Sequence, residues 1–113
     1  MTRTPEEVFA HHGKALGAED LEDIVADYAD DAILVVQKKV YHGKDGARQV
    51  FTQLLEDVPQ AQWELETVFA DDVLYLEWKA TGGGRSVEDG VDTFVFSDGM
   101  ITVQTVVYTV HAA

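Results

Sequence analysis

Val8, Phe9, His12, Ala15 and Leu16 recur at three- and four-residue spacing, the stripe of an amphipathic helix near the start of the chain. Thr4-Pro5-Glu6-Glu7 gives that helix a start. Threonine suits the N-cap, proline the first turn, and Glu7 stands where it completes a capping box. Gly17 is placed to end it. A second helix is predicted from about Asp20, with Leu21, Ile24, Val25 and Tyr28 on one face until Asp30-Asp31 breaks the pattern. Gly43 opens a third, whose apolar positions are Ala47, Val50, Phe51, Leu54 and Leu55, with Pro59 beyond its end.

Elsewhere the period changes to two. Ala32–Gln37 is rich in β-branched residues and predicts a strand, followed by a Lys38-Lys39 turn and a short strand at Val40–His42. Trp63–Phe69 alternates, with Trp63, Leu65, Thr67 and Phe69 on one side, and Asp71-Asp72 turns the chain into Val73–Ala80. Here two phases compete: Leu74, Leu76 and Trp78 inward, or Tyr75 and Glu77 inward. Gly82-Gly83-Gly84 reads as a loose hairpin tip; no lysine pattern or following helix makes it a phosphate cradle. Val87–Phe96 and Met100–His111 are strands joined by Ser97-Asp98-Gly99, where glycine accepts a positive φ at little cost. On the last strand Thr102, Gln104, Val106 and Tyr108 share one face, and Ile101, Val103, Thr105 and Val107 the other. Both faces are uncharged, which predicts cover on both sides. Three helices followed by a long run of strands make one α+β domain over residues 1–113.

Composition narrows the function. The 21 acidic residues outnumber 8 basic ones, for a formal charge of −13. No basic stripe is available to displace counterions from nucleic acid or anionic lipid, so neither is an expected partner. With no cysteine, thiolate catalysis, disulfides and cysteine–zinc sites are excluded. No apolar run approaches a membrane span and MTRTPEEVF lacks a signal-peptide core, so the expected setting is the cytoplasm. His11, His12, His42 and His111 have no metal-ligand spacing, and no nucleophile elbow or dinucleotide fingerprint is present. No metal or cofactor is expected, and any chemistry would be acid–base work by side chains.

Four phrases occur in order along the chain: Gly17-Ala-Glu-Asp-Leu21, Tyr28-Ala-Asp-Asp-Ala-Ile33, Tyr41-His-Gly43 and Asp92-Thr-Phe-Val-Phe-Ser-Asp-Gly-Met-Ile101. In this order they resemble the nuclear-transport-factor-2-like superfamily, and within it the SnoaL-like polyketide cyclases and ketosteroid isomerases. The resemblance implies a cone: a strongly curved antiparallel sheet wrapped around about three N-terminal helices, enclosing an apolar pocket. It also implies a homodimer through the outer face of the sheet. Activities on this fold range from isomerases, cyclases and dehydratases to binding modules without catalysis, so the fold alone selects none of them.

Carried over by position, the resemblance puts the isomerases' general base at Val36, which cannot accept a proton. Their oxyanion-hole tyrosine falls at His12, and their protonated acid at Asp92. His12 lies on the apolar stripe of the first helix; it is either a buried histidine with one satisfied ring nitrogen or a donor and proton shuttle. The adjacent Gly13 costs a helix about 1 kcal/mol relative to alanine, either because another segment approaches closely or as a tolerated defect. His11 points elsewhere, toward solvent. Asp92 shares a strand face with Phe94 and Phe96. A buried carboxylate must be paired, protonated or wet, and without a nearby cation its pKa is expected to rise. It is either a structural tie holding the cone shut or the acid of a pocket.

The expected catalytic pair is therefore His12 and Asp92. Tyr28, Val36, Tyr41, Trp63, Trp78, Phe94 and Gln104 are the expected ligand contacts, with the Gln104 amide orienting a polar group. Glu77 is a displaced base only if the other phase of its strand holds. The expected ligand is a small apolar molecule bearing a carbonyl or hydroxyl, isomerised, cyclised or dehydrated. The rival reading is a non-catalytic ligand-binding or assembly module, in which Trp63, Phe94 or Trp78 fills the cavity.

Overall fold

The computed structural model describes residues 2–112. Helix α1 spans Pro5–Gly17. Its capping box forms: Glu7 N donates to Thr4 Oγ1 (3.1 Å), and Thr4 N donates to Glu7 Oε1 (2.8 Å). Val8, His12 and Ala15 are its buried face. Helix α2, Leu21–Val25, is capped by the Asp20 carboxylate, which accepts from Asp23 N. It is shorter than its periodicity predicts. The Ile101 amide donates to the Asp27 carbonyl at 2.8 Å, and Tyr28 already pairs with Ile101, so the sheet takes Tyr28 from the helix. Helix α3 runs Gly43–Asp57 and buries Ala47, Val50, Phe51 and Leu54.

The strands are β1 (Tyr28–Val36), β2 (Lys39–His42), β3 (Gln62–Ala70), β4 (Val73–Gly82), β5 (Arg85–Ser97), β6 (Met100–Val107) and β7 (His111–Ala112). They form one sheet in the order β2-β1-β6-β5-β4-β3, with β7 on β5. Neighbours are antiparallel with one exception: β6 lies parallel to β1. The chain leaves β1 through the β2 hairpin and α3, then returns through the β3–β6 meander, which brings β6 in along the same direction as β1. The sheet curls around α1 and α3, and Val8, Phe51, Leu54, Leu74, Leu76, Phe94, Ile101 and Val106 pack in its concavity.

Three hairpins turn on two residues that both take positive φ: Gln37-Lys38, Gly83-Gly84 and Asp98-Gly99. Such turns match the right-handed twist of the strands they join. The first turn thus falls one residue before Lys38-Lys39. The glycine run is not loose: a Cβ on Gly83 would sit 2.6 Å from the Pro59 ring.

Two irregularities reset the strand phases. Val95 pairs with Val103 but Phe96 with Ile101, leaving Thr102 as an extra residue. Ile101 is therefore buried on the same side as Gln104 and Val106, not on the outer face with Val107. On β5, Ala80 pairs with Val87 and Trp78 with Gly90, so Glu88-Asp89 bulges and both Val87 and Gly90 turn inward. β6 also stops at Val107, short of the expected His111. Asp89 accepts hydrogen bonds from Thr109 N and Oγ1 (both 2.8 Å), drawing the chain out of β6 before His111 rejoins β5.

Candidate functional site

Within the concavity lies a narrow, almost wholly apolar hollow of about 50 Å³. Its lining includes His12 from α1, Trp78 from β4, Asp92 and Phe94 from β5, and Gln104 from β6. Leu74, Leu76 and Trp78 take the inward phase of β4. Glu77 lies on the outer face, where the Tyr75 hydroxyl donates to it at 2.6 Å, so it is not a displaced base. His12 and Asp92 are 3% and 4% exposed and form the floor. Leu16, Trp63 and Leu65 line the same hollow but keep solvent exposure, which puts the mouth between α1 and β3.

Asp92 is held from both sides. Trp78 Nε1 donates to its Oδ1 at 2.6 Å, and Gln104 Nε2 donates to its Oδ2 at 2.8 Å. The Gln104 Oε1 in turn accepts from the Tyr28 hydroxyl. Burial pushes the Asp92 carboxyl up to about 7, and the Trp78 and Gln104 donors only partly counter it because neither carries charge. Near neutral pH the group thus divides between an acid that can donate and a carboxylate that can accept. Burial also raises the Tyr28 phenol well above its ordinary range, with the Asp92 and Asp27 charges adding to it, so Tyr28 stays a hydrogen-bond donor.

His12 is caged by aromatic rings: Phe51 at 5.3 Å, Phe94 at 5.7 Å and Tyr28 at 5.8 Å between centroids. Its Nδ1 is buried with no hydrogen-bond partner among the described residues. His11, expected in solvent, is instead pinned: its Nδ1 lies 2.8 Å from Asp27 and its Nε2 3.1 Å from Asp23.

Trp63, Trp78, Phe94 and Gln104 line the hollow as expected. Tyr28, Val36 and Tyr41 do not. Tyr28 is fully buried behind Gln104, and Val36 and Tyr41 border a separate groove on the other side of Tyr108. Parallel pairing puts Val106 beside Val36, and it is Val106 that reaches the hollow. The Gln104 amide, expected to meet a ligand, is engaged at both ends and orients Asp92 instead.

Of the two readings of Gly13, close approach is not met. Nothing among the described residues lies within 4 Å of where its Cβ would be; Gly13 lines the hollow and leaves space there. Gly90 is the position where approach is close. A Cβ there would fall 2.2 Å from the Trp78 indole, so only glycine lets the ring lie flat and aim Nε1 at Asp92. A glycine inside a strand pattern was its signal in the sequence. Among the described residues no group of three or more His, Asp or Glu could hold a metal ion, and no helix is long and apolar enough to cross a membrane.

The fold recurs widely. A "putative ketosteroid isomerase" from Kribbella flavida superposes with a TM-score of 0.77 at 16% identity, covering 100% of this chain and 84% of that one. An NTF-2 like protein of unknown function from Burkholderia xenovorans gives 0.78 at 18% identity, covering 93% and 82%. A "putative polyketide cyclase" from Streptomyces antibioticus gives 0.76 at 16% identity, covering 94% and 92%. At such identities the likeness is one of fold. Among curated proteins none matches in sequence. The family described as the SnoaL-like domain matches residues 8–104, most of the chain with both His12 and Asp92 inside it. The chain belongs to the SnoaL-like domain family.

Proposed function

We propose that the hollow takes a small, largely apolar molecule bearing a carbonyl or hydroxyl, and rearranges it by acid–base catalysis without a cofactor. Isomerisation, cyclisation and dehydration all fit this chemistry. The observation that carries the reading is the pair on the floor: an imidazole and a neutral-leaning carboxyl sharing one apolar hollow. With valine at the isomerases' base position, the base falls to His12. It would remove a proton beside the carbonyl while Asp92 in its acid form hands a proton to the carbonyl oxygen. His12 delivering its proton to a different carbon, with the enol proton returning to Asp92, completes an isomerisation; in a dehydration the proton on His12 leaves with the departing hydroxyl as water while Asp92 recovers its own from the enol. Apolar walls strengthen both transfers by excluding competing water.

A second reading has its own support. Both Asp92 oxygens already accept hydrogen bonds, as in a structural tie, and the hollow is smaller than a cavity of roughly 150 Å³ that admits benzene. On that reading the domain binds or assembles and turns nothing over. Thermal-shift screening with small cyclic ketones, enones and alcohols, followed by turnover assays on the hits, separates the two. The enzyme reading expects turnover that falls about 10²–10⁴-fold in Asp92→Asn and in His12→Ala, with far-UV circular dichroism unchanged. Activity surviving both substitutions would remove the assignment; ligands that bind and never react favour the second reading. We also propose a homodimer through the outer sheet face, supported by the exposed Val73, Tyr75, Val91 and Val107 there.

A further inference from the structure

Asp27, in the link between α2 and β1, is a buried carboxylate that lies outside the hollow and has no part in the chemistry above. It is 1% exposed. Its surroundings are almost entirely specified. Arg3 Nη1 donates to Oδ1 at 2.9 Å, and the same guanidinium donates to the Gly99 carbonyl at 2.8 Å. His11 Nδ1 lies 2.8 Å from both carboxylate oxygens, and Asp23 holds the far side of that ring. The remaining side of Oδ2 faces His12 Nδ1, 3.8 Å away. Burial alone would raise the Asp27 pKa, but His12, His11 and Arg3 together outweigh it and hold the group ionised.

We infer that Asp27 is a positioning residue for His12: it holds the neutral imidazole with its proton on Nδ1, so that Nε2 presents a lone pair to the hollow. A bare Nδ1 would set its lone pair against a buried carboxylate oxygen, where repulsion is screened less than in water. An Nδ1 proton aimed at the same oxygen turns the contact attractive. Among the described residues no other acceptor lies within hydrogen-bond reach of Nδ1, and Phe9, Tyr28, Phe51 and Phe94 pack around the ring. The gap is longer than a hydrogen bond, as is common in catalytic sites without ligand. A proton gained at Nε2 makes Nδ1–H a stronger donor and draws the pair together. Asp27 then lies behind a proton-accepting His12 while Asp92 stands in front as the proton donor. For its purpose the inference rests on the proposed reaction, but the tautomer can be read without substrate.

The test is long-range 15N–1H correlation of the histidine rings, at a pH where the His12 ring is neutral, in the wild type and in Asp27→Asn and Asp27→Leu. The wild type is expected to show protonated Nδ1 and bare Nε2 at His12. In Asp27→Asn the amide oxygen stays with Arg3 and His11, the amide nitrogen donates to His12, and the tautomer reverses. In Asp27→Leu the preference for Nδ1–H is lost. An Nε2–H wild-type ring, or an Nδ1–H preference that persists in Asp27→Leu, overturns the inference. If neither variant folds, the wild-type spectrum decides alone. An Nδ1–H ring in a protein without turnover would end the proposed reaction and leave this inference standing; turnover with an Nε2–H ring would do the reverse.

Discussion

Asp92 has lost water on folding and gained only neutral donors in return, and stability should record this. Its folded pKa of about 7 lies above the ordinary value of 3.8. Between those values the native state keeps a proton that the unfolded chain has released, so raising the pH favours unfolding. The contribution of Asp92 is most favourable below pH 4, declines as pH rises toward 7, and is level above that. The full difference is on the order of 4 kcal/mol. Urea denaturation across pH 4–8 should therefore show a decline in the wild type that is shallower in Asp92→Asn; parallel profiles would contradict the raised pKa. Alternation from Gly90 to Phe96 makes the inward direction of Asp92 legible in the sequence. Asp27 gave no such signal: it stands among Asp20, Asp23, Asp30 and Asp31, and nothing in that run separates a buried acid from a solvated one. The pinning of His11 is hidden for the same reason, since its partner is Asp27.

Among the elements, helices α1 and α3 were readable because caps and 3.6-residue periods are local properties. The inner faces of the first parts of β5 and β6 are harder to read. Bulges at Glu88-Asp89 and Thr102 change the phase, and an extra residue in a strand shows only when its partner strand is paired against it. The parallel β1–β6 contact depends likewise on where the whole meander returns. One strand-level consequence is testable at Gly90. Alanine there drives a methyl into the Trp78 indole, costing about 1–3 kcal/mol from overpacking and turning Nε1 away from Asp92. Gly90→Ala should lower the urea midpoint and alter tryptophan fluorescence, and catalysis should fall with it if Asp92 is the acid. Unchanged stability and emission would mean the ring has another place to lie.

At the scale of the molecule, the outer sheet face combines apolar exposure with strong surrounding charge. Val91 pairs with Val107 across the β5–β6 ladder, and Val73 pairs with Val95, forming one patch on a chain of net charge −13. Repulsion opposes association, so a dimer needs that patch intact. Val107→Glu should halve the mass seen by light scattering at neutral pH without changing circular dichroism; a wild type already monomeric at high concentration would end the dimer proposal. The narrow hollow has a kinetic consequence as well. A guest wider than the resting space can enter only when the Leu16 or Trp63 side chain swings aside, so capture waits on a wall fluctuation and not on collision. Association would then run well below the diffusional rate for every ligand of useful size, and the ranking of ligands would follow how much wall each one displaces as closely as how well each one fits.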